Sequence, residues 1–278
     1  MPLSSILALT LMLIIVIVVI FYQVFWPGIS LRRIQQQKFP VEWEPLVRQT
    51  LPIYAGLSSA QQLQLHELIK LFLARKNFVG CGGQQIDDEV RVTIAANACL
   101  LLLDRNTDCY PQLHSVLVYP STFVVEHEQR DAIGLVSMNS NPLVGESWSN
   151  GKVILAWDDV QRGVTNFRDG HNVVLHEFAH ELDHEDGATN GAPILRTRGA
   201  YKSWAKVFAA EFAELQLKTV HGHESLLDKY GATNPAEFFA VATETFFERP
   251  REMQAHHAEL YQELKGFYCV DPAQWVGD

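Results

Sequence analysis

The stretch Val173-Val174-Leu175-His176-Glu177-Phe178-Ala179-His180-Glu181-Leu182-Asp183 decides how this chain is read. On an α-helix, positions four apart lie one above the other on one face. The imidazoles of His176 and His180 can therefore close on a single metal ion, with Glu177 beside it. That is a zinc site in outline. Two histidines four apart also occur in helices that bind nothing, so the reading turns on a further donor.

A zinc ion that does chemistry needs another protein ligand and one open position. His184 is near in sequence but lies eight residues beyond His176, about 12 Å along a helix axis, too far for three rings to meet one ion. Glu237 is the better candidate. Asn234 is placed to cap a second helix, Pro235 to occupy its first position, and Glu237 falls in the first turn, where the helix dipole favours a carboxylate. Many acidic residues at such positions only satisfy free backbone N–H groups. Here Phe238, Phe239, Val241, Ala242, Phe246 and Phe247 make the helix apolar around much of its surface, so a carboxylate entering it calls for a cation or a donor. Tyr230, seven residues before Glu237, supplies a phenol near the same helix start.

The set His176-Glu177-x-x-His180, Tyr230 and Glu237 resembles the gluzincin class of zinc metallopeptidases, which includes the catalytic domain of anthrax lethal factor. More closely, the chain is similar to the Mlc titration factor A family of bacterial zinc-dependent peptidases. The likeness runs from about residue 42 to the C-terminus, through Trp157-Asp158-Asp159, the His176 helix, and Pro235-Ala236-Glu237 to Phe247. It implies an α+β, zincin-like domain, mostly helical with a small mixed sheet. It also implies one Zn2+ held by His176, His180 and Glu237, Glu177 as general base, and Tyr230 as the phenol that meets the transition state. The implied substrate is a peptide or protein, hydrolysed by metal-activated water. Aminopeptidase action falls within the resemblance, but exo- versus endopeptidase action is not written in the sequence. The resemblance further implies a partner role, in which soluble members sequester the repressor Mlc, so the alternative function is that of a membrane-tethered binding protein.

At 278 residues the chain suffices for one domain of about 230 to 250 residues plus an appendage. Its formal charge, 22 basic against 32 acidic residues, is −10, which disfavours a nucleic-acid partner. Cys81, Cys99, Cys109 and Cys269 show no C-x-x-C spacing, so neither a second zinc site nor a redox dithiol is signalled, and the apolar neighbours of Cys99 favour reduced core thiols.

Residues 3–26 carry no charge, and residues 11–21 are unbroken Leu, Met, Ile, Val and Phe. Twenty-four helical residues reach about 36 Å, enough to cross a hydrocarbon layer of roughly 30 Å. A transmembrane anchor is expected over residues 1–26. A cleaved signal peptide fits less well, because no Lys or Arg precedes the apolar run and no small-x-small site follows it. Arg32, Arg33 and Lys38 follow the span, which places the rest of the chain in the cytoplasm, as a single-pass protein of the bacterial inner membrane. Tyr22 and Trp26 suit the interface. Here the chain departs from the family pattern, whose members lack such a segment. Pro27, Gly28, Pro40 and Pro45 mark residues 27–45 as a linker, leaving residues 46–278 as the peptidase domain.

Within that domain the apolar pattern predicts helices over residues 60–76, 87–103, 201–219 and 252–268. Residues 115–119 and 153–157 read as strands of one sheet, the second the expected edge on which a substrate could add as a strand. Residues 186–193 form a loop of small residues that would leave space near the site. Asp183, one turn beyond His180, is a candidate acceptor for fixing an imidazole tautomer, or else a surface acid. His221 and His223 lie on a polar loop and are expected to be solvated.

Overall fold

The computed structural model describes residues 11–18, 33, 34, 36–105, 108–121, 124–130, 136–142 and 151–276. Residues 1–40 and 41–278 form two separate units. In the first, residues 11–18 are helical with exposed side chains, and the rest of the expected anchor lies outside the described residues. Among the described residues no helix is long and apolar enough to cross a membrane.

The second unit opens with α1 (Trp43–Thr50), which begins within the stretch expected as linker. Helix α2 (Ser59–Arg75) matches its expected span because Ser58 and Gln61 form a reciprocal capping box. After it come β1 (Asn77–Gly80), α3 (Asp88–Leu100) and β2 (Ser115–Tyr119). Asp87 starts α3 by accepting a hydrogen bond from the Val90 backbone at 3.0 Å. A ribbon, β3 (Val124–Arg130) with β4 (Val136–Pro142), pairs antiparallel apart from the main sheet. Then follow β5 (Lys152–Ala156), α4 (Trp157–Thr165) and α5 (Val173–Asp183). The rest is helical: α6 (Arg198–His221), α7 (Pro235–Glu248), α8 (Pro250–His256) and α9 (Ala258–Tyr268).

The main sheet has the order β1-β2-β5 and both pairings are parallel, with Asn77 opposite Ser115 and Ser115 opposite Lys152. This corrects the expectation of one mixed sheet. The antiparallel strands form their own ribbon, while β1 and β2 are joined through α3, the long crossover that a parallel pair requires. Strand β5 is an edge strand of that sheet among the described residues, the position expected for residues 153–157.

Helix α5 is buried along almost its whole length and packs against α3, α4, β5 and α7. Its apolar positions Leu175, Phe178 and Leu182 follow the 3–4 spacing of one face, and the Phe178 ring lies 4.9 Å from that of Tyr110 and 5.6 Å from that of Phe72. The face carrying His176 and His180 is thereby turned toward α7. Helix α7 is fixed in turn by its phenylalanines. Phe238 meets Phe208 and Phe212, Phe239 meets Trp204 and Phe267, and Phe246 and Phe247 meet Tyr268. The single C-terminal helix expected from periodicity is two. The chain leaves helical geometry at His257 (φ −132°, ψ 55°), whose Nδ1 pairs with Glu211 of α6 at 2.7 Å.

Candidate metal centre

Asn172 sets where α5 begins. Its side-chain oxygen accepts from the backbones of Val174 (3.2 Å) and Leu175 (3.1 Å), and its amide donates to Asn97 of α3 at 3.1 Å. One turn on, His176 and His180 stand on the same face with their Nε2 atoms 3.2 Å apart. Helix α7 starts as expected, with Asn234 accepting from the Glu237 backbone at 3.0 Å and Pro235 at the first position. This aims the Glu237 carboxylate at both rings, its Oε2 3.0 Å from His176 Nε2 and 3.4 Å from His180 Nε2.

The spacing is itself a test of fit. Donors about 2.0 to 2.1 Å from a tetrahedral ion stand roughly 3.4 Å from one another. The three separations here, 3.0, 3.2 and 3.4 Å, meet that requirement without rearrangement. Among the described residues this is the group of His, Cys, Asp or Glu side chains able to hold an ion together. Two nitrogens and one carboxylate oxygen are a donor set that zinc accepts.

Electrostatics favour the same reading at Glu237 and His180, whereas at His176 burial is outweighed by the Glu244 and Glu237 carboxylates, which raise the imidazole pKa well above its usual value. Burial acts to raise the pKa of Glu237, but hydrogen bonds and charge from His176 and His180 outweigh it and hold the carboxyl at about 2. Glu237 is thus an anion at neutral pH. Burial lowers the pKa of His180, keeping that imidazole neutral and its lone pair available. Glu177 is 1% exposed on the same helix, and its charge reaches both His176 and Tyr230. Tyr230 sits on a tight turn, Lys229–Ala232, that Asp228 caps by accepting from the Tyr230 backbone at 2.7 Å. Its ring centroid lies 6.0 Å from that of His176. Burial, then Glu237 and Glu177, push its hydroxyl up to about 12, so the phenol keeps its proton and can donate.

The structure brings together all five residues read from the sequence, His176, Glu177, His180, Tyr230 and Glu237. It keeps His184 away, as expected, with Nδ1 on the Thr189 hydroxyl at 3.0 Å. His221 and His223 stack on each other at the surface, outside the cluster. Asp183 requires a correction. It does not hold an imidazole; its Oδ2 accepts from the Gly191 backbone at 2.7 Å. The acceptor on His176 Nδ1 is Glu244, at 2.7 Å, while the other Glu244 oxygen accepts from the Asn172 backbone at 2.5 Å. Accepting the proton at Nδ1 leaves the Nε2 lone pair for an ion. In the sequence Glu244 lies two helical turns after Glu237 and so shares its face, but only the packing of α7 on α5 brings it to His176.

The loop of small residues has a similar bracing role. Gly191 has φ +76°, and a Cβ there would stand 2.3 Å from the Pro235 carbonyl. Trp204 Nε1 donates to the Gly191 carbonyl at 2.9 Å. Asp183 and Trp204 thus hold the loop directly against the start of α7, two residues from Glu237. Rather than leaving space, as its composition suggested, this part of the loop fills it. The open space lies elsewhere, in a cavity of about 460 Å3 lined by His176, Tyr230 and Glu244. A larger one, about 710 Å3 between Arg105, Trp204 and Phe267, includes none of the converging donors.

Comparison with known proteins agrees with this centre. Residues 28–269 match the model of the glucose-regulated metallopeptidase M90 family. An uncharacterized protein of Synechocystis is 43% identical over 242 residues, 87% of this chain and 88% of that one. Mlc titration factor A of Cronobacter sakazakii is 35% identical over 84% of this chain and 87% of its own length, and that of Salmonella gallinarum 32% identical over 90% and 92%. With a converging His176, His180 and Glu237 at its centre and a family match across most of its length, the chain belongs to the M90 metallopeptidases, the family of the Mlc titration factor A proteins.

Proposed function

We propose that the protein is a zinc-dependent peptidase in which His176, His180 and Glu237 hold the ion, Glu177 is the general base and Tyr230 the oxyanion donor. The observation that carries this is the convergence of those three donors at 3.0 to 3.4 Å beside a buried Glu177. When bound, the ion supplies Lewis acidity, lowering the pKa of water and polarising a carbonyl. Glu177 accepts the proton released as water adds to the peptide carbonyl, and returns it to the leaving amine. Tyr230 donates to the developing oxyanion, an interaction that counts most in the transition state. Its raised pKa matters because an ionised phenolate could not donate. Glu244 is a positioning residue, holding the His176 ring through Nδ1. The edge of β5 suits an extended substrate added as a further strand.

We further propose that the uncharged residues 3–26 anchor the chain, so the test uses the chain recovered with the membrane fraction. A chelator should abolish peptide hydrolysis and stoichiometric zinc restore it. Tyr230→Phe should keep its zinc and lower turnover by about 10², the loss of one oxyanion donor. Turnover unchanged in that variant, or hydrolysis that survives removal of all metal, contradicts the proposal.

A second reading follows the resemblance to the Mlc titration factor A proteins: a chain that acts by binding a repressor such as Mlc, with hydrolysis secondary. Binding of that kind needs no general base, so Glu177→Gln separates the two.

A further inference from the structure

Beside the converging donors the surface opens into the cavity of about 460 Å3, which runs from His176, Tyr230 and Glu244 to Asp159 and Arg162 on α4, Asp169 and His171 before α5, and Asp228. The cavity shares His176 and Tyr230 with the centre, so a residue next to a carbonyl held at Tyr230 is within its reach. The cavity's size falls within the range of built ligand sites.

The charge of its lining is one-sided. Asp159, Asp169 and Asp228 line it with one arginine, Arg162, while Arg249 acts on Asp169 from outside the lining and Glu244 is engaged by the His176 ring. Two of the aspartates are held by neutral donors. Asp228 accepts from the Tyr230 backbone at 2.7 Å, and Asp169 accepts from the His171 backbone at 3.0 Å and from the Asn166 amide at 2.7 Å. Neutral N–H groups fix a carboxylate in place without cancelling its charge. That arginine, Arg162, pairs with Asp159 from an exposed position, 71% accessible, where solvent screens the pair. His171 Nε2 stands 3.7 Å from Asp228 and adds charge only when protonated. With His171 neutral, the three aspartates and one arginine of the lining leave a net charge of −2.

We propose that this cavity is a specificity subsite for a cationic residue, lysine or arginine, next to the scissile bond, with Asp228 and Asp159 as its selecting residues. The proposal rests on the peptidase reading and names its substrate class. An ammonium or guanidinium entering the recess gains the aspartate field, whereas a carboxylate is repelled and an apolar side chain leaves the charges unanswered. Asp228 also caps the turn that carries Tyr230, so the group that recognises the side chain and the group that meets the oxyanion share one short segment.

The test compares kcat/KM of the full-length, zinc-loaded chain on peptides that differ only in one residue flanking the scissile bond, on either side: lysine, norleucine or glutamate. Lysine should exceed norleucine by about tenfold, with glutamate lowest, and added salt should narrow the gap. In Asp228→Asn, which keeps an oxygen to accept from the Tyr230 backbone, the lysine-to-norleucine ratio should fall by about three- to tenfold. Asp159→Asn tests the same ratio from α4 without touching the Tyr230 turn. A ratio within one variant cancels general damage to the enzyme. Hydrolysis without a lysine preference, or a preference unchanged in both variants, overturns this proposal alone. Failure of the zinc-loaded chain to cleave any peptide overturns the peptidase reading and this proposal with it.

Discussion

Replacing Glu177 by glutamine should leave one zinc per chain bound and lower peptide hydrolysis by about 10³ to 10⁴, the upper range for loss of a general base. Zinc should stay because the convergence that would hold it involves His176, His180 and Glu237, and the amide side chain keeps nearly the volume of the buried carboxylate it replaces. Activity should go because an amide cannot take up the proton as water adds to the carbonyl. Metal analysis and single-turnover hydrolysis on the same preparation decide it. Loss of zinc along with activity would mean that Glu177 serves the ion instead. The same variant addresses the sequestering role: a repressor captured equally by wild type and Glu177→Gln supports it, and capture by neither removes it.

Glu237→Ala should do more than silence the enzyme; it should empty the centre. The substitution removes an anion from between two imidazoles, the carboxylate held at about 2 by those same rings, and no other acid among the described residues shares the cluster. Zinc affinity should fall by more than the 10- to 100-fold that follows loss of an outer partner, and hydrolysis should become undetectable at stoichiometric zinc. Glu244→Ala supplies the comparison. It frees the Nδ1 side of His176 and one backbone donor at Asn172, so its zinc affinity should fall only by about 10- to 100-fold. Metal titration ranks the two variants. Near-normal affinity in Glu237→Ala with a large loss in Glu244→Ala would transfer the ligand role to Glu244.

What could be read from the sequence follows the range of the forces involved. His176 and His180 were legible because a four-residue spacing fixes a shared face whatever the rest of the chain does. Glu237 was legible because Asn234 and Pro235 are local signals that fix where α7 starts. The partner of the His176 ring was not. Asp183 is nearer in sequence, but the crossing of α5 and α7 brings up Glu244, and only tertiary packing sets that crossing. Strand direction was hidden for the same reason, since β2 and β5 look alike in a parallel or a mixed sheet. Strand β1 was missed because it is short and largely exposed, so it carries no burial pattern to detect. The break at His257 depends on Glu211 of another helix, a contact that periodicity within residues 252–268 does not contain.

In the proposed centre His176, His180 and Glu237 would hold one zinc ion. X-ray absorption at the zinc edge of the purified full-length chain reads that coordination shell. The expected spectrum shows one zinc per chain in a shell of nitrogen and oxygen at about 2.0 to 2.1 Å, with the outer-shell pattern of two imidazoles and no sulfur. A sulfur shell at about 2.3 Å, which would draw on the cysteines, or a chain that binds no zinc, would contradict it.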